Sequence, residues 1–145
     1  MSQLAGKTVI ITGSSRGVGA DTAQILAAQG ANIIVNYRSK APRANKVVKA
    51  IEEAGGHATA VQADVTKSED LTNLVNVAIE TYGSLDYLIL NASGGMETGM
   101  GEDYAMRLNR DAQLNLARLA AEKMPNGGRI VFVTSHQAHF IREVE

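Results

Sequence analysis

The chain has 145 residues, a formal net charge of −1, 45% hydrophobic and 20% charged residues, and no cysteine. That length suits one domain with a proper core, and the balance of apolar to charged residues is that of an ordinary globular protein. The near-neutral charge excludes a general attraction to nucleic acid or to an anionic membrane, and the missing cysteine excludes a disulfide frame and a Cys-ligated metal. No stretch approaches the length of a membrane span, and MSQLAGKTVIITG lacks the apolar core of a signal peptide, so a cytoplasmic location is expected.

Lys7–Thr12 reads as a first strand, buried on both faces because Val9-Ile10-Ile11 is continuously apolar. Thr12–Gly19, TGSSRGVG, then turns into a helix over Gly17–Gln29. Ala23, Ile25, Leu26, Ala27 and Ala28 supply its apolar surface, and Gly30 stands at the stop. A strand, a tight glycine turn and a helix in that order form a phosphate cradle. Backbone N–H groups are exposed at the turn, and the helix N-terminus adds partial positive charge. Gly13, Gly17 and Gly19 would serve the turn, the approach of backbone to phosphate, and helix–strand packing. The spacing G-x-x-x-G-x-G differs from the common G-x-G-x-x-G, so an ordinary glycine-rich turn is the competing reading until the downstream residues are considered.

Asn32–Asn36, NIIVN, is a second buried strand. Pro42 opens a helix to about Ala54, with Val47, Val48 and Ile51 inward and Gly55-Gly56 ending it. His57–Gln62 is a third strand. Thr66 and Glu69 have capping-box spacing, and the helix after them carries Leu71, Leu74, Val75, Ala78, Ile79 and Tyr82 at helical period until Gly83. Leu85–Leu90 is a fourth strand, Ser93–Gly101 a loop with four glycines, and Asp103–Met124 a long helix stopped by Pro125, Asn126 and Gly127. Arg129–Thr134 is a fifth strand, and the final HFIREVE reads as loop. Uninterrupted alternation of strand and helix predicts the α/β class: a Rossmann-type doubly wound parallel sheet with five strands in the order 3-2-1-4-5 and the C-terminal strands missing.

Ligands of such sheets bind at the carboxyl ends of the strands, so the residues leaving each strand are the ones to read. After the second strand comes Asn36-Tyr37-Arg38-Ser39-Lys40, with no acid to hold a ribose 2′-OH; the first acidic residue after Asp21 is Glu52. Arg38 stands there, with Arg16 as a possible second cation. Guanidinium suits a 2′-phosphate, which favours NADP over NAD. The competing reading is a solvated basic face of Arg38, Lys40, Arg43, Lys46 and Lys49. After the third strand, Asp64 would accept from the adenine amino group while the Val65 N–H donates to the ring; a turn-capping aspartate is the alternative. His136 and His139 are three apart without a third ligand, so they read as loop histidines and no metal is expected.

Together these residues resemble the short-chain dehydrogenases/reductases of the classical type, close to the 3-oxoacyl-acyl-carrier-protein reductases. TGSSRGVG is similar to the family's T-G-x-x-x-G-x-G turn, and Asp64-Val65 to its adenine contact. Leu90-Asn91-Ala92-Ser93 lies where the family has N-N-A-G, with Leu90 and Ser93 departing from it. Asn109 in the long helix and Ser135 after the fifth strand resemble the family's catalytic asparagine and serine. The resemblance implies hydride transfer between NADP(H) and a carbonyl or alcohol substrate. Ser135 would bond the substrate oxygen, and Asn109 would help hold a water and a lysine. The implied cofactor set is Gly13, Ser15, Arg16, Gly17, Val18, Gly19, Tyr37, Arg38, Ser39, Asp64, Val65, Asn91, Ala92 and Ser93. It also implies a homo-oligomer, dimer or tetramer, packed in part through the long helix. The family's Tyr-x-x-x-Lys does not occur in the 145 residues. The chain therefore reads as residues 1–145 of a longer enzyme, an NAD(P)-binding Rossmann portion inactive alone. A non-catalytic nucleotide-binding or regulatory module is the alternative.

Overall fold

The computed structural model describes the backbone of residues 4–15, 17–91, 102–124, 128–133 and 138–143, with side chains for all of these except 102–110 and 138–143. The chain alternates β1 (Thr8–Ile11), α1 (Gly17–Ala28), β2 (Asn32–Tyr37), α2 (Ala41–Glu53), β3 (His57–Gln62), α3 (Ser68–Tyr82), β4 (Tyr87–Asn91), α4 (Glu102–Lys123), β5 (Arg129–Val133) and β6 (Ala138–Glu143). The sheet order is β3-β2-β1-β4-β5-β6. The first five strands are parallel and in the expected order 3-2-1-4-5.

Alternation along each strand splits the core into two layers. Val9, Ile11, Ile33 and Val35 face α1 and α2, joining Ala20, Ala23, Ala27, Ala44, Val47 and Ile51. Ile10, Ile34, Leu88 and Leu90 face the other way, onto Leu71, Leu74, Val75 and Ala78 of α3 and Leu116 and Ala120 of α4. Ile33 and Ile34 are both fully buried. Such side chains each contribute about 1.5–3 kcal/mol through removal from water. A continuously apolar strand is therefore what a sheet covered on both faces requires.

Local signals set most of the helix ends. Pro42 occupies the first turn of α2, where its missing N–H has no partner to lose. Gly83 closes α3 in the left-handed region at φ 90°, its N–H donating to the Ile79 carbonyl. The capping box at Thr66 and Glu69 does not form. The N-cap is Lys67 without a side-chain cap, because the Thr66 hydroxyl donates to Asp64 instead. On α1, Ile25 is 63% exposed and Ala28 is also exposed, so the buried stripe is the narrower Gly19, Ala20, Ala23 and Ala27.

One strand starts later than expected, and another is added. β4 starts at Tyr87 rather than Leu85, because Asp86 is taken up as a cross-link: its Oδ2 accepts from the Thr8 N–H and the Ser84 hydroxyl, both at 2.9 Å. Residues 138–143, expected as loop, form β6, which pairs antiparallel with β5 and carries a register irregularity between Ile130 and Val131. The next segment of chain thus satisfies the open ladder of β5, which would otherwise be an unpaired edge.

Candidate cofactor site

The strand order reverses at β1, with β2 on one side and β4 on the other. Their carboxyl ends therefore flank the turn that leaves β1, where a doubly wound sheet opens a crevice. The turn is held from both sides. From β2, Asn36 Oδ1 accepts the Gly13 N–H at 3.0 Å, and the Asn36 amide donates to the carbonyls of Ala63 at 3.2 Å and Val61 at 3.4 Å. From β4, Asn91 Nδ2 donates to the Gly13 carbonyl at 3.2 Å. Ser14 is drawn inward: its hydroxyl donates to the Ile11 carbonyl and accepts the Asn36 N–H, while its own N–H donates to the Asn36 carbonyl.

Two glycines then do opposite things. A Cβ on Gly19 would lie 2.6 Å from the Gly13 carbonyl oxygen and 2.7 Å from Asn91 Nδ2, so α1 can approach the turn only without a side chain there. Gly17 adopts φ +59°, and a Cβ there would meet no described residue within 4 Å, so the described residues leave the helix start open. Among the described residues no acceptor meets the N–H of Gly17 or Val18. Val18 itself is 59% exposed. An open concavity of backbone N–H groups at a helix N-terminus fits a pyrophosphate.

The rim continues to β2 and β3. Tyr37 is half-buried, and Arg38 and Ser39 are exposed just past the end of β2. Asp64, past β3, accepts from the Thr66 hydroxyl at 2.6 Å and the Thr66 N–H at 2.9 Å through one carboxylate oxygen. The Thr66 hydroxyl holds the Asp64 carboxyl below the usual carboxylate range; burial opposes this, and the Thr66 N–H and the charges of Arg38 and Lys67 add to it. Asp64 thus caps a turn, the alternative reading of this residue, and its other oxygen has no hydrogen-bond partner among the described residues. The Val65 N–H likewise meets no described acceptor.

Beneath the turn, Gln113 of α4 is 2% exposed and contacts Thr12 and Asn91. Neither Gln113 nor the side-chain role of Asn36 stands out in the sequence. A signal existed for each. Asn36 is a polar end to a buried apolar run, and Gln113 is the one polar member of the stripe 113, 116, 120, 124, all buried. Arg16, Ala92, Ser93, Ser135 and His136 lie outside the described residues, as do the loop 93–101 and the stop at 125–127. Asn109 lies within α4, and His139 within β6, by backbone. Among the described residues no three His, Asp or Glu side chains stand together as a metal site, and no helix is long and apolar enough to cross a membrane.

The family described as short chain dehydrogenase matches residues 7–144. The chain belongs to that family. Among curated relatives, a probable tetrahydroxynaphthalene reductase of Zymoseptoria tritici is 39% identical over 140 residues, 92% of this chain and 52% of that protein. A 3beta-hydroxysteroid dehydrogenase of Eggerthella lenta is 47% identical over 100 residues, 69% of this chain and 38% of that protein. Among solved short-chain dehydrogenases, one from Burkholderia cenocepacia in complex with NADP has a TM-score of 0.80 and 37% identity, covering 90% of this chain and 56% of that one. The chain spans about half the length of the relatives it matches along most of its own length.

Proposed function

We propose that residues 1–145 are the NADP(H)-binding portion of an oxidoreductase that interconverts a carbonyl and an alcohol. The turn after β1 carries the proposal, because open N–H groups at Gly17 and Val18 leave room for a pyrophosphate and Gly19 lets α1 pack directly against the turn. Gly13, Ser15, Arg16, Gly17, Val18 and Gly19 would surround the phosphates. Tyr37, Arg38 and Ser39 would take the adenosine ribose, Asp64 and Val65 the adenine, and Asn91, Ala92 and Ser93 the nicotinamide side. When bound, NADPH supplies the hydride. Ser135 would hydrogen-bond the substrate oxygen and stabilise charge on it, and Asn109 would hold a water within α4's reach. The likeness to an NADP complex supports the cofactor, and the family supports a small-molecule carbonyl or alcohol substrate. Assembly of a dimer or tetramer through α4 would cover Leu114, which is 41% exposed.

Arg38 tests the cofactor preference. No acid stands between Asp21 and Glu52 to hold a 2′-OH, and the exposed Arg38 is free to meet a 2′-phosphate. Charge-assisted hydrogen bonds of about 1.5–3 kcal/mol predict that Arg38→Asp weakens NADPH relative to NADH by roughly ten- to a hundredfold. Isothermal titration of both cofactors reads the ratio, and an unchanged ratio removes Arg38 from the site. The Tyr-x-x-x-Lys spacing is absent from these residues, so we expect cofactor binding by the 145-residue chain without turnover.

A further inference from the structure

Gln113 is not itself one of the positions assigned to the cofactor, though it touches one of them, Asn91, and core packing alone does not call for it. It lies in the stripe of Leu116, Ala120 and Met124, where an apolar side chain would fill the space without desolvating an amide. A buried primary amide persists there only with partners. Thr12 Oγ1 donates to Gln113 Oε1 at 3.3 Å, and Gln113 Nε2 donates to the Asn91 carbonyl at 3.5 Å. The Asn91 N–H closes the ring by donating to Thr12 Oγ1 at 2.9 Å. The reversed amide would set Oε1 against the Asn91 carbonyl, so the Gln113 amide has one orientation; the Thr12 hydroxyl also has the Asn91 carbonyl within reach at 3.5 Å.

Three elements meet in this ring. Thr12 precedes Gly13, the start of the cradle. Asn91 ends β4, and its side chain grips the Gly13 carbonyl. Gln113 belongs to α4, four residues after Asn109. We propose that Gln113 is a positioning residue that couples the glycine turn to the N-terminal half of α4, so that NADP(H) seated on the turn also fixes the helical stretch containing Asn109. The proposal rests on the cofactor reading above. A ligand held by the amides of Gly17 and Val18 restrains the Thr12–Gly13 segment, and the hydrogen bonds among Thr12, Asn91 and Gln113 pass that restraint to α4.

Hydrogen exchange of the full chain, with and without NADPH, tests this. In the wild type, NADPH slows exchange at the glycine turn and across residues 102–113. In Gln113→Leu the turn keeps its NADPH protection, while the NADPH-dependent protection of 102–113 falls by about fivefold or more, the lower range of measured couplings. Thr12→Ser keeps the hydroxyl and behaves as wild type, and Thr12→Val behaves as Gln113→Leu, which serves if the leucine variant does not fold. A purely structural role would raise exchange in the free protein without altering the NADPH-dependent difference. Equal NADPH protection of 102–113 in the wild type and both ring-breaking variants, or none in the wild type, overturns the coupling and leaves the cofactor reading standing. No NADPH protection at the turn overturns both.

Discussion

Gly19 has less room than any other glycine whose surroundings are described. Three atoms lie within 2.9 Å of the place a Cβ would take: the Gly13 carbonyl oxygen and Ser14 Cα of the backbone, and Asn91 Nδ2, which is held by its hydrogen bond to the Gly13 carbonyl. Gly19→Ala should destabilise the chain by about 1–3 kcal/mol through overpacking, and should abolish the thermal shift given by NADPH. A melting temperature equal to wild type would contradict the packing at that point. Asp64 makes a pH-dependent prediction. Its folded-state pKa lies below its unfolded one, so its contribution is complete above the unfolded value and is lost as pH falls through the folded value. The melting temperature of wild type should therefore exceed that of Asp64→Asn from neutral pH down to about pH 4, and the gap should close on further acidification. A gap independent of pH would remove the hydrogen-bonded carboxylate as its source. At this scale the positions of Gly13, Arg38 and Asp64 at or just past strand ends were legible, because the apolar runs before them mark where the strands stop. Asn36 was legible only as part of a segment, because its role is a meeting with Gly13, 23 residues away, that spacing alone does not show.

Among the elements, α4 separates core from surface most clearly. Leu116 is fully buried against the sheet, whereas Leu114, two positions earlier, is 41% exposed. Leu116→Ala should cost about 2–5 kcal/mol in chemical denaturation, and Leu114→Ala within about 0.5 kcal/mol when the chain is monomeric. Similar losses at both positions would mean that the outer stripe of α4 is also covered. The helical periods of α2 and α3 were plain in the sequence because each buries a single stripe. The start of α3 was not. A Thr and a Glu at capping spacing invite a box, but Asp64 competes for the Thr66 hydroxyl and also has its N–H accepted by Asp70. The start of β4 moved for the same kind of reason, since Asp86 serves Thr8 across the sheet rather than its own strand.

For the molecule as a whole, the order of the first five strands followed from alternation and from the right-handed crossovers that a parallel sheet imposes. β6 did not follow, because an antiparallel return strand of six residues needs only an open neighbour, and nothing in Ala138–Glu143 announces which edge it will find. The two-sided hold on Gly13 has a consequence for how this rim can change. Asn36 and Asn91 clamp one residue from strands on either side of β1, the first by its N–H and the second by its carbonyl. The side chains of Ser15, Tyr37, Arg38 and Ser39 bear no part of that clamp. Under the proposed function those four positions would be open to change, by drift or in a directed library, while 36 and 91 stay frozen.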